Sequence, residues 1–125
     1  MKSIHTDAAP AAIGPYSQAQ VCGNLVFVSG QIPVDPATGA IPAGVEAQAE
    51  QVFRNLAAIL SAAGTDLSHA LKTTVFLQSM EDFAAVNAIY ARHFTEPYPA
   101  RSCVEVAKLP KGVLLECELI AALAD

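Results

Sequence analysis

The chain has 125 residues, 53% of them hydrophobic and only 15% charged, with a net charge of −5, a sequence pI near 5.0 and a mean hydropathy of +0.37. Soluble domains typically carry roughly 25% charged residues, so this chain has apolar surface to hide, either in a membrane or against further copies of itself. No run of about 18 uninterrupted apolar residues exists to span a bilayer, and seven Lys/Arg without a basic run weigh against non-specific nucleic-acid binding, which leaves a homo-oligomer as the expectation.

The start, MKSIHTDAAPAAIGPYSQ, has no apolar h-region and predicts no secretory signal and a cytoplasmic location. Cys22, Cys103 and Cys117 are odd in number and lack C-x-x-C spacing, which fits a reducing compartment better than a disulfide scaffold or structural zinc. Nothing divides the chain, so residues 1–125 read as one domain. Residues 8–15, AAPAAIGP, read as a loop punctuated by Pro10, Gly14 and Pro15. NLVFVSGQI follows the turn pair Gly23-Asn24 and reads as a strand ending near Ser29-Gly30. PVDPATGAIPAG is a turn-rich loop.

From Val45 the apolar period becomes helical. Val45, Ala49, Val52, Phe53, Leu56, Ile59, Leu60 and Ala63 form one stripe, with Gly64 placed as a C-terminal cap. HALKTTVFLQ is the next strand. Ser79-Met80-Glu81-Asp82 resembles a capping box ahead of Phe83, Val86, Tyr90 and Phe94 at helical spacing, and that helix must end before Pro97. PARSCVEV and LLECELIAAL close the chain as strands around the turn KLPKG. The order predicts an α+β fold: a two-layer α/β sandwich whose mixed sheet carries two helices on one face.

Alternation sorts the last two strands. Arg101, Cys103 and Glu105 share one side, and Ser102, Val104 and Val106 the other. Glu116 and Glu118 oppose Leu115, Cys117, Leu119 and Ala121. If the apolar sets meet the helices, the far face carries Arg101, Cys103, Glu105, Glu116 and Glu118. Under a subunit interface such charges are costly unless paired or used. Two readings stay open: an Arg–Glu ion pair across strands or copies, or a small anionic site. In the second, the guanidinium grips a carboxylate bidentately and a glutamate orients a water or passes a proton.

The other candidates are weighed in the same way. Tyr16, in a Gly-Pro-Tyr-Ser loop, is a packing residue or a site member. Ser29-Gly30 is a turn or a backbone N–H offered to an anion. Cys103 lies beside Arg101, which would lower a thiol pKa, although no histidine is near in sequence to complete a Cys–His pair. His5, His69 and His93 lack metal-ligand spacing, and no phosphate or dinucleotide loop appears.

Together IGPYSQA, VSGQIPVDPATG, KTTVFL, FAAVNAIY, PYPARSCVEVAKLPKG and ECELIA closely resemble the RidA/YjgF reactive-intermediate deaminase family, from about Ile4 to Ala122. The resemblance implies a chorismate-mutase-like fold, a homotrimer whose sheets line a central barrel, and sites in the clefts between subunits. It implies hydrolysis of enamine and imine acids such as 2-aminoacrylate, 2-iminopropionate and 2-iminobutyrate to 2-keto acids and ammonia, with no cofactor and no metal. By the same resemblance Arg101 holds the substrate carboxylate with the Gly30 N–H, and Glu116 and the Cys103 carbonyl hold the attacking water. Tyr16 and Ser29 line the cleft, Asn87 is structural, and Glu118 has a less defined part. FTEPYPARS looks shorter than the matching loop of some members, with Tyr98 at the aromatic position before the PAR motif.

Three rival functions remain. A non-catalytic trimer that binds keto acids would use the same arginine. A holdase-type chaperone would use the apolar surface. RNA cleavage, a label attached to parts of the family, is disfavoured by the acidic charge.

Overall fold

The stripe beginning at Val45 becomes helix α1 (Val45–Ala63) in the computed structural model, which describes residues 1–124. Ala49, Val52, Phe53, Leu56, Ile59 and Leu60 are fully buried along it. Each large apolar side chain so buried contributes roughly 1.5–3 kcal/mol. Gly64 ends the helix in the left-handed region (φ 89°, ψ 25°), where its N–H reaches the carbonyls of Leu60 and Ser61.

The second helix, α2 (Phe83–His93), begins later than a capping box at Ser79 implies. Ser79 Oγ does accept from the Glu81 N–H at 3.2 Å, but it caps a single 3₁₀ turn, Met80–Asp82, and the Asp82 side chain makes no capping bond to the α-helix. The intervening turn moves the helix start three residues on, so only half of the motif forms. Phe94 has already left the helix but stays buried, stacked on Tyr90 at 4.2 Å. Phe53 of α1 meets Tyr90 and Phe94 edge-on, each at 5.6 Å, and this aromatic cluster fixes α2 against α1.

Both helices cover one face of a six-stranded sheet. Its strands are β1 (Lys2–Ile4), β2 (Ala19–Cys22), β3 (Leu25–Gln31), β4 (Ala70–Leu77), β5 (Ala100–Glu105) and β6 (Leu115–Ala122), in the spatial order β1-β2-β3-β6-β4-β5. Only β4 and β5 run parallel, which makes the sheet mixed. The short strands β1 and β2 carry too few residues for a period to show in sequence. Among the described residues no helix is long and apolar enough to cross a membrane.

In β6 the alternation holds: Leu115, Cys117, Leu119 and Ala121 are buried under the helices, and Glu116 and Glu118 face away. In β5 the assignment is reversed. Parallel register pairs Arg101 with Thr73, Cys103 with Val75 and Glu105 with Leu77. Thr73, Val75 and Leu77 are buried on the helix side, so Arg101, Cys103 and Glu105 belong to that side too. Ser102 and Val104 share the outer face with Glu116 and Glu118. Alternation states which residues share a face, not which face it is. An edge strand with Val104 still 44% exposed offers no burial contrast to decide it.

Candidate active site

Arg101 lies on the edge strand β5 with its side chain against α2. Its Nη1 donates to Asn87 Oδ1 at 2.6 Å, and its guanidinium carbon stands 4.8 Å from the Tyr90 ring centre and 5.6 Å from that of Phe83. Phe83, Asn87 and Tyr90 are spaced i, i+4, i+7 along α2 and so form one shelf under the guanidinium. Tyr90 is itself held by Thr73, hydroxyl to hydroxyl, at 2.7 Å in the core. Among the described residues no carboxylate lies within 4 Å of Arg101. The Arg–Glu ion pair open in the sequence therefore does not form within the chain. Tyr98, Pro99, Tyr90 and Ala91 join Arg101 around an open cavity of about 420 Å³.

The remaining candidates gather on a different part of the sheet. Between Val28 and Gln31, β3 carries one residue more than β6 does between Leu119 and Cys117, a β-bulge at Ser29-Gly30. The bulge removes Ser29 and Gly30 from the regular ladder. The Ser29 hydroxyl donates to the Ser17 carbonyl at 2.6 Å, tying the bulge to the Tyr16 loop. Glu116 folds directly over Gly30: a Cβ there would lie 2.9 Å from the Glu116 carboxyl carbon. The constraint at Gly30 is thus the close approach of the Glu116 side chain, which any side chain there would displace, and not its backbone angles. Burial pushes the Glu116 carboxyl above the usual glutamate range, and the charge of Glu118 adds to the shift. Tyr16 and Gly30 then line one cavity of about 250 Å³, walled by Ile13, Ile32 and Val34.

Arg101 and Glu116 thus occupy opposite sides of the sheet in one chain; Gly30 lies under Glu116, Ser29 adjoins it in the bulge, and Tyr16 shares a cavity with Gly30. Cys103 goes with Arg101, packed against the core. Its thiol departs from the expectation of a lowered pKa. Burial pushes it up, outweighing the Arg101 charge that pulls it down, so the sulfur stays protonated and a poor nucleophile at neutral pH. Its main chain is placed differently. Val106 donates to the Leu77 carbonyl, so strand alternation turns the N–H and C=O of Cys103 outward, off the open edge of the sheet.

Three buried amides not evident as site residues in the sequence tie down the backbone here; of them Gln18 lines the second cavity and Asn55 holds its Ile32 and Val34 walls. Asn55 donates to the carbonyls of Ile32 and Val34 at 3.2 and 3.0 Å. Gln18 donates to the Pro10 carbonyl at 2.8 Å, and Gln48 accepts from the Leu114 N–H at 2.8 Å, just ahead of Glu116. Gln48 and Asn55 lie seven residues apart on the flank of the α1 stripe, a polar repeat within an apolar face that could have been noticed. Asn87, read as structural, is the hydrogen-bond partner of Arg101.

A mixed sheet with two helices on one face, an arginine at its edge with no carboxylate within 4 Å among the described residues, and a glutamate over a bulge glycine define a small two-layer α+β protein. The chain belongs to the RidA/YjgF family: residues 6–123 match the family model described as Endoribonuclease L-PSP. It is 55% identical over 123 residues, covering 96% of both chains, to the 2-iminobutanoate/2-iminopropanoate deaminase of Escherichia coli. It is 59% identical over 122 residues, 94% of both chains, to a RutC family protein of Haemophilus influenzae. Among solved structures it resembles RidA from an Antarctic Psychrobacter (TM-score 0.96, 48% identity, 98% of this chain and 100% of that one). It also resembles E. coli TdcF with bound serine (TM-score 0.94, 49% identity, 99% and 100%).

Proposed function

We propose that the protein is a hydrolytic deaminase of 2-imino and 2-enamino acids, converting R–C(=NH)–COO⁻ and water to R–C(=O)–COO⁻ and ammonia. The observation that carries this reading is Arg101: a guanidinium braced by Asn87, Tyr90 and Phe83, facing a cavity, with no carboxylate among the described residues to neutralise it. Such a group is prepared for an external carboxylate. The name of the E. coli relative, and the serine bound to TdcF, support a ligand shaped like a small amino acid. 2-Iminopropionate, 2-iminobutyrate and 2-aminoacrylate are the substrates proposed. The family description names an endoribonuclease, but a net charge of −5 favours a small anion held by one arginine over a polyanion.

The protein acts as a homotrimer, with each site made by two copies. The two halves face opposite sides of one sheet, so the Arg101 of one copy meets the Glu116, Gly30, Ser29 and Tyr16 of another. The outer face carries exposed Phe27 and Val104, each 44% accessible, which suits contact between copies. Arg101 and the Gly30 N–H fix the carboxylate. Glu116 and the outward Cys103 carbonyl hold a water near the imine carbon. The water adds to that carbon while one of its protons passes by way of the Glu116 carboxylate to the imine nitrogen, giving the carbinolamine; the hydroxyl proton then follows by the same carboxylate to nitrogen as the C–N bond breaks, leaving the keto acid and ammonia. Positioning supplies most of the effect, since imines hydrolyse readily unaided.

The reading is tested by generating 2-iminopropionate with an amino-acid oxidase and trapping it with semicarbazide. Wild-type protein should lower the trapped signal. An undiminished signal across several amino-acid-derived imines would leave a keto-acid-binding trimer in its place.

Asn87→Ala should raise KM about tenfold with a smaller change in kcat, because it frees the guanidinium without deleting it; this size corresponds to one charged hydrogen bond of about 1.5 kcal/mol. Steady-state kinetics on the trapped-imine assay separate the two constants. Gly30→Ala should lower kcat/KM about tenfold while stability changes by less than about 1 kcal/mol, since the new methyl displaces only the flexible end of Glu116. Equal losses in activity and melting temperature would instead point to a backbone distortion at the bulge.

A further inference from the structure

The cavity shared by Tyr16 and Gly30 has one cationic wall residue, Lys111, whose part in the chain is otherwise unexplained. Lys111 follows Pro110 in the turn between β5 and β6, closed by the Gly112 N–H on the Leu109 carbonyl at 3.3 Å. Its backbone is left-handed (φ 56°, ψ 18°), and it is the only non-glycine residue with positive φ among those described. This turn position favours glycine or asparagine. Holding a lysine there is a local strain, and such strain collects at ligand sites. Glycine is available one step on, at Gly112, so the turn has not simply been left without one. Among the described residues Lys111 has no carboxylate within 4 Å and no hydrogen-bonded side-chain partner. Asp35, also on the cavity wall, is occupied locally, accepting from the Ala37 N–H at 2.9 Å.

We propose that Lys111 is a specificity-determining residue that binds a second anionic group on the substrate, so that the site takes imines of acidic amino acids (2-imino dicarboxylates) in addition to small monocarboxylates. The inference rests on the reading that this cavity belongs to the imine-acid site. Arg101 and the Gly30 N–H hold the carboxylate next to the imine carbon. The side chain then enters the cavity walled by Ile13, Ile32 and Val34, and its terminal carboxylate meets the ammonium of Lys111. Asp35 opposes that charge and sets the balance between dicarboxylate and monocarboxylate substrates.

The probes are 2-oxoglutarate and 2-oxobutyrate, the stable keto acids of the two substrate classes, titrated calorimetrically into the intact protein. The readout is the ratio of their affinities. Lys111→Met should lower the 2-oxoglutarate preference about tenfold or more, the size of one charge-assisted hydrogen bond. Lys111→Arg should retain most of it, and Asp35→Asn should shift it the other way. Lys111→Gly should lose the preference while raising the melting temperature, since glycine relieves the strain. A ratio within twofold of wild type in Lys111→Met, or a wild type that binds neither keto acid, overturns the inference. The deaminase reading fails separately. A wild type inactive on every imine, yet with a ratio that moves with Lys111, keeps the dicarboxylate cavity and removes the catalysis.

Discussion

Arg101→Ala is expected to lower kcat/KM for 2-iminopropionate about 100- to 1,000-fold, the loss typical of removing one preorganised charged group at a reacting centre. The variant should fold, because Arg101 is exposed and Tyr90 beneath it is anchored independently by Thr73 and Phe53. Arg101→Lys should recover only a minor part of the activity. An ammonium cannot present two parallel N–H bonds to a carboxylate, nor offer the Tyr90 ring the planar, weakly hydrated cation that now stands 4.8 Å from its centre. Circular dichroism and sizing of both variants separate loss of the clamp from loss of the fold. Full activity in Arg101→Ala would remove the clamp from the mechanism.

Glu116→Gln should lower kcat about 100-fold or more, the range for a group that moves a proton. Its stability should move the other way. Burial raises the Glu116 carboxyl in the folded chain, so between the unfolded and folded pKa the folded state binds more protons than the unfolded one. Stability is then fully present below the unfolded value and falls as pH rises through the folded one. At neutral pH the ionised Glu116 is a liability that glutamine removes, so the variant should melt at or above the wild-type temperature. Wild-type turnover should rise with pH on its acid limb as the carboxylate forms, above the usual glutamate range, and Glu116→Gln should lose that limb. A limb retained in the variant would assign the titration to another group.

The same two variants test the composite site. Unfolded together in equal amounts and refolded, Arg101→Ala and Glu116→Gln chains should regain about a quarter of wild-type activity, because in a random cyclic trimer that share of sites draws both intact residues. Activity no greater than that of the separate variants would place both residues of a working site on one chain.

Much of this was legible in the residues themselves. The stripe from Val45 to Ala63 and the glycine at 64 gave a helix and its end, because the 3.6-residue period and the left-handed cap are local properties of the backbone. The alternation in LECELIAA separated Leu115, Cys117, Leu119 and Ala121 from Glu116 and Glu118, because β6 is central and one of its faces is fully buried. The likeness of PARSCVEV to its family pointed to Arg101. The tertiary structure alone decided which side of the sheet Arg101 takes. That side depends on the parallel register of β5 against β4, a long-range pairing that leaves no period in an exposed edge strand. It alone brought Asn87 and Tyr90 under the guanidinium, laid Glu116 over the bulge at Gly30, and raised the Cys103 thiol where sequence proximity to Arg101 had suggested the reverse. Periodicity is written into neighbouring residues. The face of an edge strand, the strength of a charge and the depth of its burial are set by residues far away in the chain.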